Sequence, residues 1–464
     1  MKKSFFLGLA ALTGLAALSG CGDDGDDGGV DGTPSAFTNR SCADVTGNCI
    51  EIADAATLIE EVNLLDADTV LVLGAGTFEF DNAVTIRQSG ISLVGQGIDT
   101  TTLSFGTGTT QFNGVDVVGD DFLVEDLTVL DAPKDGIRVE DSDGVTFRRI
   151  RTTWTNAGDM NNGAYGIYPV KSQNVLVEDS FAENASDAGL YVGQCINVIV
   201  RNNEVRGNVA GLEIENTQYA DVYNNLAEDN TGGIVVFDLP GNPIVGRDVR
   251  LRDNIIINNN RENFAPGGTV GQIPAGTGTF AMASRRVEIT NNRYENNGTV
   301  DIALISGLVI EGDTSAWDLQ ESELIGDYED LALLPGTTAG ALSNHRSENI
   351  MVAGNTHMGS GNNPDRSREL GGLIFFLYVE NPPVDNVVYD NIGESAFDAE
   401  DLAANSNDNH LCVGGNTNGT LGLLNLENAP APILAGVAAP FGPFDCDALD
   451  GGAVGDVTLP QLAP

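Results

Sequence analysis

The hydrophobic pattern of this chain is a short phrase that returns at a fixed interval. Each copy consists of a glycine and an apolar residue, and in three of the four clearest copies a polar or aromatic residue follows. The four clearest copies begin at Gly166, Gly189, Gly211 and Gly233, which are 23, 22 and 22 residues apart. A period in this range is typical of a solenoid, in which each repeat buries its apolar face against its neighbours.

A second apolar phrase keeps the same period. Residues 175–180 are followed one repeat later by residues 198–203 and then by residues 221–225. These runs are rich in Val, Ile and Leu, are too short for helices, and are separated by Asn, Asp and Gly turns, as expected for short strands. We therefore predict an all-β fold, a parallel β-helix with two or three short strands in each coil.

Asparagines recur three residues after the last inward apolar residue of this second phrase. Because coils stack about 4.8 Å apart, such side chains would hydrogen bond to one another along the axis. We predict a structural ladder, not a ligand site, from Asn203, Asn225, Asn254, Asn292, Asn355 and Asn391.

The N-terminal end of the solenoid is predicted to carry a helical cap. Thr57-x-x-Glu60, followed by apolar residues, is a capping box that would open a short amphipathic helix. Such a helix would cover the open apolar end of the first coil.

Three insertions interrupt the repeat, at residues 154–162, 258–277 and 307–345. Coils tolerate little extra length, so we expect these insertions to leave at corners and to wall one face. We assign residues 41–392 to the β-helix with its N-terminal cap, and residues 393–464 to an irregular C-terminal cap.

The net charge of the chain limits the classes of partner that it can bind. The chain has 67 acidic and 22 basic residues, a formal net charge of −45. This charge argues against nucleic acid and against anionic membrane surfaces as partners. It is compatible with simple solubility or with Ca²⁺ and cationic partners, and Ca²⁺ is the one cofactor that the composition leaves open.

The N-terminus has the pattern of an export signal. Lys2 and Lys3 precede an apolar run over residues 5–18 that is too short to span a membrane, so residues 1–20 are predicted to be a signal peptide. The segment ending at Cys21 resembles the lipobox of bacterial lipoproteins.

That resemblance implies lipidation of Cys21, and Gly22 after it favours the outer membrane of a Gram-negative cell envelope. The alternative is an ordinary secretory signal with a chance cysteine. Residues 21–40 are Gly/Asp-rich and are predicted to be a flexible tether, so the membrane would be contacted only through the lipid.

The remaining cysteines fit an exported protein. Cys42 and Cys49 enclose a small loop, and Cys412 and Cys446 lie together in the C-terminal region. Because export permits disulfides, we predict the pairs 42–49 and 412–446, with Cys195 left as a buried thiol inside a repeat.

The central repeats, residues 164–170, 185–194, 209–216 and 231–238, closely resemble a family of bacterial lipoproteins called parallel β-helix repeat-containing proteins. Their fold is related to the pectin-lyase-like superfamily. The resemblance extends over roughly residues 50–392 and implies a right-handed parallel β-helix and export. It supplies no catalytic residue, and fold alone does not define function.

Known chemistries of the wider superfamily find little support. The Gly-His-Gly and Arg-x-Lys elements of a pectin-type hydrolase and the Asp-Pro-His element of an alginate epimerase are absent. The three histidines, His345, His357 and His410, lie outside the central repeats and are predicted to be surface residues.

One face nevertheless gathers polar and aromatic groups. If the apolar residue after each glycine points inward, alternation turns Arg138, Tyr168, Tyr191 and Glu213 outward in one vertical row. Beside that row are Asp141, Lys171, Gln194, Asn216 and Asp238, with Asp187 and Glu215 at the margins.

We hypothesise that this face is a carbohydrate groove. Lys171 is the candidate base, and Tyr168 or Tyr191 is the candidate acid. Arg138, Asp187 and Glu213 are candidate substrate contacts, and Glu215 and Asp238, with Glu213, are candidate ligands of a cation such as Ca²⁺. The competing interpretation is an ordinary solvated β face.

Two functions follow from the sequence. The first is an envelope lipoprotein whose β-helix binds a polysaccharide or a partner protein without chemistry. The alternative is a polysaccharide lyase or epimerase that acts on uronate-containing glycans.

Overall fold

The computed structural model describes residues 40–320, 341–428, 433–438 and 442–460. The predicted signal peptide, Cys21 and almost all of the tether lie outside the described residues. Among the described residues, no helix combines the length and the apolar character needed to cross a bilayer.

Each central coil contains three short strands, and strands of successive coils pair in parallel. A representative coil runs through Gln173–Glu178, Phe181–Glu183 and Ala188–Gly193. The first two strands belong to one large sheet, here called the first sheet, and the third belongs to the second sheet. The predicted all-β parallel β-helix is therefore confirmed.

The strands form three vertical columns. The first column of the first sheet consists of Asn48–Ile52, Thr69–Leu73, Ile91–Val94, Gln173–Glu178, Ile196–Arg201, Gln218–Tyr223, Arg247–Arg252, Arg285–Thr290, Glu348–Ala353 and Leu411–Gly414. Its second column consists of Gly76–Glu79, Thr101–Ser104, Phe181–Glu183, Glu204–Arg206, Leu226–Glu228, Ile255–Ile257, Arg293–Glu295 and Thr356–Met358, and two long strands, Phe122–Leu130 and Asp143–Thr153, run through both columns.

The second sheet consists of Val84–Ile86, Val115–Val117, Ile137–Glu140, Tyr165–Val170, Ala188–Gly193, Ala210–Glu215, Gly232–Phe237, Thr277–Met282, Val300–Ile305, Val387–Tyr389, Thr420–Leu423 and the antiparallel Leu434–Ala438. A separate hairpin pairs Asp318–Gln320 with Ala341–Ser343. Short 3₁₀ turns lie at Cys42–Asp44, Val270–Gln272, Gly307–Val309, Thr314–Trp317, Leu402–Ala404, Leu426–Asn428 and Gly442–Phe444.

The four repeat glycines occupy equivalent positions in successive coils. Ile167 pairs with Leu190, Leu190 with Leu212 and Leu212 with Ile234, so the glycine before each one is also in register. A Cβ at Gly211 would lie 2.6 Å from the carbonyl oxygen of Gly233. The position requires glycine because the next coil passes too close for any side chain.

The asparagine ladder exists, with one correction at its end. Each side chain from Asn203 through Asn225, Asn254 and Asn292 to Asn355 donates to the next, at 3.0–3.1 Å. The following member is Asn416, and not Asn391 as predicted. Asn391 fails because it follows a strand of the second sheet, whereas the ladder lies between the two columns of the first.

A second ladder lies at the next corner. Asn208, Asn230, Asn259 and Asn297 donate to one another in order, at 3.0–3.2 Å. These residues also repeat with the coil period, but the sequence analysis did not extract them.

The N-terminal helix was predicted with the wrong start. It spans Ala55–Val62, and its N-cap is Asp54, whose carboxylate accepts from the Thr57 amide. Thr57 is therefore inside the first turn and does not open the helix. Leu58 is fully buried in the core, as a cap over the first coils requires.

The C-terminal region contains features that the repeat pattern did not reveal. The last coil, Leu411–Gly414 and Thr420–Leu423, falls within the segment assigned to the cap. A further insertion, residues 359–386, carries the helix Glu369–Leu377.

Both predicted disulfides, Cys42–Cys49 and Cys412–Cys446, are present, and Cys195 is a buried free thiol. Burial raises the pKa of the Cys195 thiol to about 12, so the thiol stays protonated and unreactive.

The buried apolar residues form two clusters. One fills the interior of the coils. The other lies on the outer face of the second sheet, where Val235, Phe280 and Met282 are covered by Ile273, Trp317 and other residues of the insertions. The insertions thus wall this face, as predicted, and the polar part of the face lies among the earlier coils.

Candidate functional site

The outer face of the second sheet carries the predicted row. Tyr168 pairs with Arg138, and Tyr191 pairs with Glu213, in adjacent positions of the same sheet. The next residue in the row is Val235, where the covered apolar region begins. The polar row therefore ends at Glu213, and in the other direction it continues from Arg138 through Asp116 to Thr85.

Three tyrosines of this face form one cluster. The ring centroids of Tyr165 lie 4.6 Å from those of both Tyr168 and Tyr191, and the last two are 4.9 Å apart. Tyr191 is buried, whereas Tyr165 and Tyr168 are half-buried. The sequence analysis did not select Tyr165. The same position in the next coil holds the small residue Ala188, so a tyrosine at this position departs from the repeat.

The Tyr191 ring leans over a glycine. A Cβ at Gly193 would lie 2.3 Å from the ring and hydroxyl of Tyr191. Because Gly193 leaves this space, the ring reaches along the face toward Gln194, whose Nε2 lies 3.3 Å from the Tyr191 hydroxyl.

Two buried carboxyl groups, Glu213 and Glu215, lie next to the tyrosines. Glu213 is 2% exposed, and burial together with the charges of Asp187 and Glu215 raises its pKa well above the ordinary value. Burial also raises the pKa of Glu215, which accepts from Gln194 Nε2 at 2.9 Å and from Asn242 Nδ2 at 3.1 Å. Two carboxyls with raised pKa therefore lie on the same strand, two residues apart.

Further carboxyl groups face the same cluster. Burial and the charge of Glu215 raise the pKa of Asp187 to about 7. Asp135 is 1% exposed, and burial raises its pKa as well. Neither Asp135 nor Tyr165 was a sequence candidate: Asp135 precedes its strand, so its orientation depends on the turn, and Tyr165 is the first residue of its strand, one position before the repeat glycine.

Several of these oxygens lack hydrogen-bond partners. Within the described residues, Asp187 Oδ1, Glu213 Oε2 and both oxygens of Asp135 are buried without a well-formed hydrogen bond, and Lys134 Nζ lies 3.5 Å from Asp135. Unpartnered buried carboxyl oxygens cost stability unless a ligand or water completes them. The site therefore favours a ligand that is rich in hydrogen-bond donors.

The predicted cationic residues are already paired. Arg138 contacts Asp116 at 2.9 Å and Glu140 at 3.1 Å, and Lys171 contacts Glu140 at 3.0 Å. Lys171 lies at the turn after its strand, and no contact among the described residues joins it to the tyrosines. The structure thus brings Tyr168, Tyr191, Asp187, Glu213 and Glu215 together, with Arg138 at the margin and Lys171 outside.

Asp238 is occupied by the fold. Its carboxylate accepts from the Gly246 amide at 2.8 Å and from Asn344 Nδ2 at 3.2 Å, and burial raises its pKa to about 7. Across the described residues, three potential metal-ligand side chains converge only at His410, Cys412 and Cys446, and the cysteines there form a disulfide. Glu215 and Asp238 are not assembled with a third such ligand.

The insertions wall the site. Asn242, in the loop that follows Gly232–Phe237, binds Glu215, and a Cβ at Gly268, in the 258–277 insertion, would lie 3.8 Å from Asp187 Oδ2. The part of the insertion 307–345 over residues 321–340 lies outside the described residues.

One histidine prediction was wrong. His357 is only 2% exposed, because it points into the coil, where it stacks on Tyr294 and bonds Asp301 at 2.9 Å. His345 and His410 are partly exposed.

Comparison with known proteins agrees with the observed fold. The family model described as "Right handed beta helix region" matches residues 111–259 and 160–316. This chain is a right-handed parallel β-helix protein. No curated protein sequence matches it significantly.

Solved structures similar to this β-helix protein share little sequence with it. The A-module of the mannuronan C-5 epimerase AlgE4 from Azotobacter vinelandii is 14% identical, with a TM-score of 0.48 over 84% of this chain and 95% of that one. Endopolygalacturonase I from Stereum purpureum is 12% identical, with a TM-score of 0.41 over 67% and 96%. The alginate lyase from Paenibacillus sp. is 14% identical, with a TM-score of 0.34 over 68% and 97%. These are likenesses of fold.

Proposed function

We propose that the outer face of the second sheet binds a carbohydrate chain at the tyrosine–carboxylate site, defined as Asp135, Tyr165, Tyr168, Asp187, Tyr191, Glu213 and Glu215. The observation that carries this proposal is the packing of three tyrosine rings beside buried carboxyl oxygens that lack partners. A sugar offers both an apolar ring face for stacking and hydroxyl donors for these oxygens.

The charge of the site favours a glycan without carboxylates. The nearby guanidinium of Arg138 is already held by Asp116 and Glu140, and any of the four site carboxyls that ionises would repel a uronate. An uncharged or amino-bearing polysaccharide fits these groups better. A uronan would need a cation to bridge it to the carboxylates.

The second candidate is an enzyme that cleaves the bound glycan by acid–base chemistry. The adjacent carboxyls Glu213 and Glu215 support it, because burial raises the pKa of each, and a carboxyl with a raised pKa is a candidate general acid. In a hydrolysis, Glu213 would protonate the leaving glycosidic oxygen while Glu215 takes a proton from the water that attacks the anomeric carbon. The lyase or epimerase expected from the sequence would instead depend on Tyr168, Tyr191 and Lys171.

Binding is tested with the purified full-length protein and a panel of neutral, amino-bearing and uronate polysaccharides. Tyr168→Ala should weaken binding of the retained glycan about tenfold, because a stacking surface is lost. The matched control is Tyr223→Ala, which removes a half-buried tyrosine from the outer face of the first sheet. Equal losses in both variants, or no retained glycan, would contradict the proposal.

The same mixtures separate binding from catalysis. New reducing ends that disappear in Glu213→Gln would identify a hydrolase, and unsaturated products that absorb in the ultraviolet would identify a lyase. Retention of the glycan without either product supports a binding protein. A co-purifying polypeptide with no glycan retention would favour a partner-protein scaffold.

We also propose that the protein is exported and anchored through Cys21. The disulfides Cys42–Cys49 and Cys412–Cys446 are consistent with an oxidising compartment. Cells given labelled palmitate should label the wild type and Cys195→Ser but not Cys21→Ser. Cleavage of the signal without any label would favour the ordinary secretory signal.

A further inference from the structure

A second cavity, separate from the tyrosine–carboxylate site, opens near the C-terminal end of the β-helix. Its volume is about 870 Å³, and none of its lining residues belongs to that site. Its walls come from the insertion 359–386, the last coil and the returning strand Leu434–Ala438. Cavities of roughly 300–1,000 Å³ are the usual size of small-molecule sites.

Much of the wall is apolar, and part of the apolar surface is open to solvent. The apolar lining consists of Met358, Leu377, Val379, Pro383, Val384, Ile433 and Ala435. Val379 is 82% exposed and Met358 is 38% exposed, and Phe376, beside the lining residue Leu377, is 69% exposed. Large exposed apolar side chains that gather at one place mark a binding surface.

The backbone at the mouth is strained. Val379 and Glu380 have φ angles of +55° and +54°, in the left-handed region that glycine normally occupies after a helix. A β-branched residue in this region is a genuine outlier. The turn is held by hydrogen bonds from the Val379 amide to Phe376 O and from the Glu380 amide to Phe375 O. Such strain is characteristic of ligand-binding segments, and here it keeps an apolar side chain at the opening.

The other end of the cavity is polar and carries no cation. The Asp385 carboxylate is buried and accepts from the Tyr378 hydroxyl at 2.7 Å and from the Gly436 amide at 2.9 Å. Asn386, Asn418 and Thr420 also line the cavity, and neither lysine nor arginine does.

A buried imidazole adds an unused acceptor or donor. His357 lines the cavity, its Nδ1 is 2.9 Å from Asp301 Oδ2, and its Nε2 is buried without a hydrogen-bond partner among the described residues. Bound ligands commonly complete such groups.

We propose that this cavity binds an uncharged small molecule with an apolar body and a hydroxyl group. The apolar body lies against Leu377, Val379 and Ile433, and the hydroxyl reaches the polar end near Asp385. A carboxylate-bearing analogue is rejected, because Asp385 repels it and no lining side chain neutralises it.

The test compares two probes of equal shape, 4-tert-butylbenzyl alcohol and 4-tert-butylbenzoate, by calorimetry and by displacement of the neutral dye Nile red from the full-length protein. The alcohol should bind at least about tenfold more tightly than the benzoate. Asp385→Asn should narrow that ratio, since the amide keeps hydrogen-bonding capacity but removes the charge.

Two variants locate the binding. Ala435→Trp places a large ring in the cavity from an exposed position and should abolish alcohol binding, whereas Ala56→Trp, on the exposed face of the N-terminal helix, should not. Val379→Gly should weaken binding while raising the unfolding temperature, because it removes the apolar wall and the positive-φ strain together.

Alcohol binding that survives both Ala435→Trp and Val379→Gly, or the absence of alcohol binding to the wild type, would overturn the proposal. So would benzoate binding as tight as the alcohol. Ala435→Trp should leave glycan retention intact, so failure here is distinct from failure of the carbohydrate proposal.

Discussion

Replacing Asn225 with alanine should lower the free energy of unfolding by about 4 kcal/mol, the largest loss we expect from a single side chain that touches no ligand. Asn225 Nδ2 donates to Val200 O and to Asn254 Oδ1, and its Oδ1 accepts from both the amide and the side chain of Asn203. Removal leaves several buried polar groups unpaired, each costing roughly 1–3 kcal/mol.

Chemical denaturation followed by circular dichroism measures this loss. The matched control is Asn161→Ala, in an exposed loop, where the same substitution should change stability by less than about 0.5 kcal/mol. A loss at Asn225 no larger than the loss at Asn161 would mean that the ladder contributes nothing beyond the packing of the coils.

The folded state should be more stable near pH 5 than near pH 8. Burial raises the pKa of Asp187, Asp238 and Asp390 to about 7, and that of Glu213 is raised well above its ordinary value. In the unfolded chain, aspartate carboxyls titrate near pH 4.

The sign follows from proton binding. Between about pH 4 and pH 7 the folded state keeps protons that the unfolded state has released, so stability falls as the pH rises through this window. Each such carboxyl contributes on the order of a few kcal/mol. Arginines have the opposite effect on Asp116, Glu178 and Asp221, whose pKa values they lower. The stability that these three carboxylates contribute is therefore lost only at more acidic pH.

The measurement is the thermal unfolding midpoint across this pH range. Glu213→Gln keeps the size of the side chain but cannot ionise, so it should raise the midpoint at pH 8 more than at pH 5. Asp66→Asn, at an exposed position, should leave the slope unchanged. A midpoint that rises from pH 5 to pH 8 would show that these carboxyls are solvated in the folded state.

The site was only partly accessible to sequence reasoning. The period gave the vertical row of Arg138, Tyr168, Tyr191 and Glu213, because strands of equal phase must stack. It did not give Asp135, which lies in the turn before its strand, or Tyr165, which is the first residue of its strand and precedes the repeat glycine. Lys171 lies in the turn after its strand. Its own backbone is left-handed there, with a φ of +51°, and its side chain contacts Glu140 and not the tyrosines.

The C-terminal cavity had no sequence signal of this kind. The segment around Glu369–Leu377 is apolar without a clear period, and the two walls that face it are separated from it by tens of residues. Only the return of the chain brings them together.

The sequence by itself determined the coil, its period, the stacking of the repeat glycines in successive coils, most of the first asparagine ladder and both disulfides. These features depend on local alternation and on a constant interval, which a linear chain records directly. The tertiary structure alone decided which carboxyls are buried without partners, how far the insertions cover the second sheet, and where the second cavity opens. Those properties arise from contacts between segments whose spacing follows no period, because burial and proton affinity depend on what neighbouring loops exclude from water.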